Sequence, residues 1–444
     1  MGKPVDWERV TQEGVTHLRE YIRIDTTNPP GNEMEAALFL KGILEKESIS
    51  CTVFNPHPGR ANLMATLSGD GSKKPLILLN HMDVVAAERD KWEVDPFGGV
   101  MRDGYIYGRG ALDNKGMGIA QLIAFLMLKR SHIALSRDII FLALGDEEMG
   151  GRLGARWMLE NVPQLKEAEY VLNEGGGVIV DEGGNLEYYE ISTVQKVVFP
   201  IKVRASGLSG HGSIPQPDGA TEKLVDALGR LAKWRPLFRV IPLVQEYFSN
   251  IAPVKWPHKV NRFRNLAKSL QDEFFAGEFT ANPIHNAMVR DTIALTVIRA
   301  GTKANIIPSE GEAILDCRLI PGSSKEDFLE EVRGLIRETG AEVEVKSEAK
   351  PIPPSPLDTD LFRAITTVAR RRDPNCIVAH PLLPGATDSR HFREQGVVCY
   401  DFSPFRLSQS DLLRIHGHNE RLTTENLSFA IRLLYEILGE VSGF

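Results

Sequence analysis

The chain has 444 residues, enough for two or three domains. Hydrophobic residues make up 42% and charged residues 25%, a globular balance that argues against disorder. The net charge of −7 lacks the basic excess of a nucleic-acid or anionic-lipid binder. The longest apolar run, Gly118 to Leu128, is shorter than the ~18 residues a membrane span needs. Met1-Gly2-Lys3-Pro4-Val5-Asp6-Trp7 has no apolar signal-peptide core, and Asp6 stands where a myristoylation signal needs Ser or Thr. Cys51, Cys317, Cys376 and Cys399 form no CxxC pair, so a cytoplasmic protein without a disulfide framework or thiolate zinc site is expected.

Along the chain, Val10 to Arg23 and Glu33 to Ser48 carry helical spacing on either side of an Asn28-Pro29-Pro30-Gly31 breaker. Leu76 to Leu79 and Ile139 to Leu144 are short continuous apolar runs, as in strands buried on both faces, and Met117 to Lys129 between them reads as a helix. This alternation predicts an α/β domain with a mainly parallel central sheet flanked by helices. From about residue 196 the pattern changes. Val197 to Val203 reads as a strand, Thr221 to Trp234 as a helix, Thr292 to Arg299 and Ala313 to Leu319 as a strand pair, Lys325 to Glu338 as a helix and Ala341 to Val345 as a strand. That is an α+β unit in β-α-β-β-α-β order. Residues 236–290 interrupt it, with a helical stretch at Asn261 to Phe275. The Pro-rich stretch Lys350 to Pro356 reads as a connector, and Asp360 to Arg371 as a helix, with apolar runs at Gly396 to Tyr400 and Leu427 to Leu438. The expected organisation is a discontinuous domain, 1–195 and 350–444, with 196–349 inserted into it.

The chemistry-bearing residues gather at the ends of the predicted strands, the edge where open α/β sheets bind ligands. His81 and Asp83 follow one strand, and Asp83 is placed to accept the proton of the His81 imidazole, as carboxylates behind metal-bound histidines do. Asp113 stands among glycines in Gly108 to Gly116, where an N-capping role is the plain alternative. Asp146, Glu147 and Glu148 follow the next strand, and three adjacent carboxylates repel unless a cation relieves them. Glu174 ends another apolar run before three glycines, and Ile415-His416-Gly417-His418-Asn419-Glu420 adds imidazole late in the chain. Mixed imidazole and carboxylate suits zinc, with cobalt or manganese as substitutes. The set exceeds what one tetrahedral ion needs and suits a pair bridged by a carboxylate.

In this order, N-H-M-D-V-V, G-R-G-A-x-D-N-K-G, G-D-E-E-x-G-G, N-E-G-G, S-G-H-G-S, A-N-I-I-P and H-G-H-N-E make the sequence resemble the di-zinc aminoacylase/carboxypeptidase family over nearly its whole length. That family includes acetylornithine deacetylase, succinyl-diaminopimelate desuccinylase, Gly-X carboxypeptidase and carnosine dipeptidases. The resemblance implies that Asp113 bridges two metal ions, His81 and Glu174 complete one site, and Glu148 and His416 complete the other. His416 is preferred to His418 because the family's metal histidine lies four residues before the acid, here Glu420. Glu147 matches the general base and Asp83 the acid supporting His81. In the inserted domain, which the family uses as a lid and dimerisation domain, His211 matches the group stabilising the oxyanion, commonly from a partner subunit. Asn305, Arg318 and Arg390 match substrate contacts, Arg390 as a candidate clamp for a free carboxylate. For Arg318 a surface ion pair weighs equally.

The implied activity is hydrolysis of N-acyl amino acids, or of short peptides with a free C-terminal carboxylate, by a water acidified between two divalent ions. A homodimer with a small-molecule substrate, and with no nucleic-acid or membrane partner, goes with it. A dipeptidase or aminopeptidase on the same frame is the alternative, and a catalytically inactive binding protein a weaker one, since no ligand or base is missing. The 236–290 insertion resembles the Gly-X carboxypeptidase and N-acyl amino acid hydrolase branch. Its Phe238, Leu243, Tyr247, Phe248, Trp256 and Phe263 either line an acyl pocket or, as we favour for most of them, form the insertion's own core.

Overall fold

Period-two packing explains the centre of the first part of the chain. In the strands Leu76–His81 and Ile139–Leu144 every residue is buried, and alternate side chains enter two different cores. Leu76, Leu78, Ile139, Phe141 and Ala143 serve one core, while Ile77, Leu79, Ile140, Leu142 and Leu144 serve the other. These contacts come from a computed structural model that describes residues 5–215, 217–346 and 352–443. Met1 to Pro4, together with Lys350 and Pro351 of the Pro-rich connector and the boundary drawn at 349/350, lie outside the described residues. The chain divides into two units, Met1–Thr193 with Pro354–Pro381 and Thr387–Phe444, and Val194–Pro353 with Leu382–Ala386.

The first unit is built on a six-stranded sheet in the order Cys51–His57, Arg60–Leu67, Ile139–Leu144, Leu76–His81, Tyr170–Asn173, Val398–Asp401. The last four strands run parallel, and the first two form a hairpin that joins Ile139–Leu144 antiparallel. That hairpin is absent from the sequence reading. Its edge strand is half-exposed and carries Asn55 and Pro56, so it shows no continuous apolar run. Helix Lys115–Arg130 is buried from Lys115 to Leu128, all round rather than along one stripe. Around it, helices Trp7–Ile22, Glu33–Lys46, Asp360–Arg372 and Thr424–Ser442 fill the larger core. Ala155–Asn161 and Ser389–Arg393 cover the other face. A small antiparallel sheet, Val100–Arg102, Tyr105–Tyr107 and Arg421–Thr423, ties residues near 108–113 to those near 416–420.

The second unit follows in the order strand Ile201–Ser206, helix Ala220–Lys233, strands Thr292–Ala300 and Glu310–Leu319, helix Lys325–Ile336, strand Glu342–Val345. Its sheet is antiparallel, ordered Thr292–Ala300, Glu310–Leu319, Ile201–Ser206, Glu342–Val345. Ala313, Leu315, Cys317 and Leu319 pack with Leu224, Leu228 and Phe328 from the helices. The single strand expected over Val197 to Val203 is two, Val197–Val198 and Ile201–Ser206, parted at Pro200, which has no N–H to donate to a ladder.

The helical stretch expected over Asn261 to Phe275 breaks into Val260–Phe263, Leu266–Ser269 and Glu273–Thr280. Asn265 accepts from the Lys268 N–H and Asp272 from those of Phe274 and Phe275, so each polar side chain starts a new helix where the pattern suggested one long one. The insertion's aromatics close on themselves. The rings of Tyr247, Trp256, Phe263, Phe279 and His285 lie 4.9–6.3 Å from that of Phe248. Burial pushes His285 down to about 4, so it sits there as a neutral ring. Tyr247, Phe248 and Phe263 are buried in this cluster and Trp256 stacks on Phe263, which makes them the insertion's own core. Phe238 instead lies under the Arg290 guanidinium. Among the described residues no helix is long and apolar enough to cross a membrane.

Candidate metal centre

Three parallel strands deliver the acids and the first imidazole. His81 is the last residue of Leu76–His81, Ile139–Leu144 leads into Asp146, Glu147 and Glu148, and Tyr170–Asn173 leads into Glu174. Asp113 arrives by a different route. The buried Glu420 carboxylate accepts from the N–H groups of Gly110, Leu112 and Asp113 and from Arg109 Nη1, which shapes the loop ending at Asp113. Asn114, not Asp113, holds the N-cap position of helix Lys115–Arg130, which leaves the Asp113 carboxylate free of capping.

The Asp113 carboxylate lies between two imidazoles. Its Oδ1 is 3.0 Å from His81 Nε2 and its Oδ2 is 3.0 Å from His416 Nε2. Glu174 Oε1 is 3.4 Å from His81 Nε2, and Glu148 Oε1 is 3.3 Å from His416 Nε2. In each triad the ligand atoms all lie within 4.8 Å of one another. One Nε2 carries at most one proton, yet each faces two carboxylates, and Glu148 Oε1 is buried without a hydrogen-bond partner. These are donor sets converging on a point, and they fit two divalent cations of the imidazole- and carboxylate-binding kind. His418, by contrast, is 2.8 Å from Glu88 Oε2, so it belongs to neither triad.

The charges agree with this arrangement. Burial alone would lower His81, but the charge of Glu174 and the Asp113 carboxylate push it well above its usual value. The Asp113 and Glu148 carboxylates facing its Nε2 push His416 up to about 10. Burial would raise Asp113, yet His416 and His81 hold it far below the usual carboxylate range. Glu147 belongs to neither triad. Burial, with the charge of Glu174 beside it, raises its carboxyl well above the ordinary range, and Glu174 is raised by burial as well.

The Asp83 contact differs from the sequence reading. His81 Nδ1 meets the Asp83 backbone carbonyl at 2.9 Å, with the carboxylate Oδ1 at 3.6 Å, beyond a good hydrogen bond. The carboxylate turns to other donors: Oδ1 accepts from the Glu147 N–H and Oδ2 from the Glu148 N–H, each at 3.2 Å, and Oδ2 also from Asn28 Nδ2 at 2.9 Å. Asp83 therefore braces the turn that carries Glu147 and Glu148. Arg390 is tethered nearby, its Nη2 donating to the Gly150 carbonyl at 2.7 Å.

In the second unit, Gly210–His211 pairs with Ile306–Ile307, and the Gly212 N–H donates to the Asn305 carbonyl, so His211 and Asn305 are neighbours. His211 Nδ1 accepts from the Ser213 N–H at 3.2 Å and lies 2.7 Å from Ser213 Oγ. An accepting Nδ1 makes Nε2 the donor nitrogen of the ring, and among the described residues nothing takes up that donor. Arg318 forms a bidentate pair with Asp316, at 2.7 and 3.0 Å, which gives substance to its ion-pair reading.

Several supporting residues escape the sequence reading. Asn114 Nδ2 donates to Glu174 Oε2 at 2.5 Å, and Arg109 acts through Glu420. Asp388 is buried with both oxygens unpartnered and is pushed up to about 7 by burial. Arg109 and Asn114 stand inside a motif already singled out and Asp388 two residues before Arg390, so proximity to a named residue was the available signal.

Residues 77–440 match the sequence model of peptidase family M20/M25/M40. The chain is 33% identical over 397 residues to the N-fatty-acyl-amino acid synthase/hydrolase PM20D1 of Xenopus tropicalis, covering 86% of this chain and 75% of that protein. It is 28% identical over 414 residues to aminoacylase-1A of Rattus norvegicus, covering 92% and 90%. In fold it resembles the M20 family metallo-carboxypeptidase Sso-CP2 from Sulfolobus solfataricus, with a TM-score of 0.74 at 19% identity over 97% of this chain and 100% of that one.

Proposed function

The chain belongs to peptidase family M20/M25/M40, and on that premise we propose that it is a di-metal hydrolase of N-acyl amino acids, or of short peptides with a free C-terminal carboxylate. The observation that carries this reading is the Asp113 carboxylate, with one oxygen 3.0 Å from His81 and the other 3.0 Å from His416. His81, Asp113 and Glu174 would hold one ion, and Asp113, Glu148 and His416 the other, zinc being the metal the donors favour. Bound there, the ions supply Lewis acidity for the amide carbonyl and lower the pKa of water towards neutrality. Glu147 is the general base: it takes the proton of the attacking water and delivers it to the leaving amine. Its place outside both triads leaves its carboxylate free to hold that proton between the two steps.

His211 supplies the complementary donor, Nε2–H towards the developing oxyanion, with Ser213 fixing its tautomer. Asn305, Arg318 and Arg390 are our candidates for holding the substrate, the arginines for its carboxylate. The names of the Xenopus and rat relatives support an acylated amino acid as substrate, the former with a fatty acyl group. A homodimer is supported by the strand Thr292–Ala300. Among the described residues it pairs on one side only, and Leu295 and Ile298 on it are exposed.

The test is a panel of N-acyl amino acids, their carboxamides and dipeptides, run on wild type and Glu147→Ala. Hydrolysis of the carboxylate-bearing amides, with near-complete loss in a variant that keeps its metal, is the expected result. Metal bound with every substrate intact would overturn the substrate class, and no metal on folded protein would overturn the mechanism.

A further inference from the structure

Asn28, in the segment that the sequence reads as a helix breaker, and Glu33, at the start of the helix after it, have side chains reaching the base of the candidate metal centre. Glu33, on the first turn of Glu33–Lys46, is fully buried, a placement carboxylates tolerate only when paired. Its partner is Arg60 from the hairpin, with Nε to Oε2 at 2.6 Å and Nη2 to Oε1 at 2.7 Å. The same Nη2 donates onward to Asp146 Oδ1 at 2.8 Å. Asn28 Nδ2 lies 2.9 Å from Asp83 Oδ2 and 3.4 Å from Asp146 Oδ1, joining the two carboxylates.

Asp146 has a left-handed backbone, φ 71°, which costs a non-glycine residue energy unless its surroundings hold it there. Its other oxygen accepts from the Leu153 N–H at 2.9 Å, closing the turn over Glu147 and Glu148. That turn is the one whose N–H groups Asp83 accepts. Space is short around it as well: a Cβ at Gly145 would stand 2.9 Å from the Glu33 carboxylate and 3.0 Å from the Ala61 carbonyl.

We propose that Arg60, anchored by Glu33, and Asn28 are positioning residues, which lock Asp146 and Asp83 so that the turn presents Glu148 to the metal and Glu147 to the reacting water. None of the three touches a ligand triad directly. Their effect runs through two carboxylates to the Glu147 and Glu148 backbone, and it rests on the reading of those residues as base and ligand. Because both triads share Asp113 but only one contains Glu148, the network bears on the two metal positions unequally.

Arg60→Met alone strands the buried Glu33 charge and is expected to fold poorly. The informative variant is Glu33→Gln/Arg60→Met, which leaves no unpaired charge at position 33 and only the Asp146 carboxylate without its cation, still held by the Leu153 N–H, with Asn28→Ala as a milder second. Metal-free wild type and variants are titrated with zinc, and kcat and KM are measured on the best N-acyl amino acid. In the folded double variant one of the two zinc affinities is expected to fall about 10–100-fold while the other holds within about threefold. kcat is expected to fall by a similar factor with little change in KM, and Asn28→Ala to shift the same two quantities less. A folded double variant with both affinities and kcat at wild-type values would overturn the proposal, as would an equal fall in both affinities. Wild type that binds no zinc would instead overturn the hydrolase reading on which the proposal rests.

Discussion

In the first unit His81, Glu147, Glu148 and Glu174 follow strands buried on both faces, and in the second His211 stands on a two-residue strand open to solvent. His81 is nearly inaccessible and bonded at both ring nitrogens. His211 is bonded only at Nδ1 among the described residues, within its own turn. A metal site needs its ligands fixed before the metal arrives, and for the proposed ligands at the strand ends the sheet core does the fixing. A donor needed only as charge develops, the role proposed for His211, can be held by a short local turn. The insertion is a third case: it carries many aromatic rings, and it spends them on its own core.

The largest expected effect falls on the first unit. Glu147→Gln should lower kcat by about 10²–10⁴-fold with metal content unchanged, measured by steady-state kinetics beside elemental analysis. Loss of metal in that variant would make Glu147 a ligand. Next is His211→Ala, which should lower kcat by about 10²–10³-fold. As an exposed residue it should leave the melting temperature where it was, and a lowered melting temperature would contradict the contrast between the units.

In the metal-free site His81 and His416 both hold protons above their usual range, His416 up to about 10. Metal binding near neutral pH must expel these protons, so affinity falls as pH falls, about tenfold per unit for each proton displaced. Zinc titrations from pH 8 to pH 6, repeated in buffers of different ionisation enthalpy, should show this fall and the proton release. A pH-independent affinity would remove the imidazoles from the site. The smallest effect on activity belongs to the insertion. Phe248→Ala should cost about 3–5 kcal/mol of stability in denaturant melts while kcat/KM on short-chain substrates stays within about threefold. A large rise in KM for bulky acyl groups alone would return Phe248 to a substrate pocket.

Much of the architecture is legible in the sequence where burial is two-sided. Leu76 to Leu79 and Ile139 to Leu144 appear as unbroken apolar runs, and the acids that follow mark the strand ends where open sheets bind ligands. The hairpin Cys51–His57 and Arg60–Leu67 is not legible, because its edge strand has one face half open and polar residues within it. Within the site, the candidate ligands could be named because imidazole and carboxylate chemistry is local to each motif. Their support could not. Glu420 reaches the 110–113 loop from more than 300 positions away, and Arg60 reaches Asp146 across 86, distances no spacing rule covers. The carboxylate of Asp83 illustrates the same limit, since two residues from His81 it still turns to the Glu147 and Glu148 amides.

Asp113 is the group proposed to be shared by two ions, and metal stoichiometry tests that most directly. Wild type, Asp113→Ala and His416→Ala, each loaded with zinc and dialysed, would be assayed for bound metal per chain. About two ions in wild type, about one in His416→Ala and almost none in Asp113→Ala is the predicted result. A folded Asp113→Ala that still holds two ions, or a wild type that never binds more than one, would contradict it.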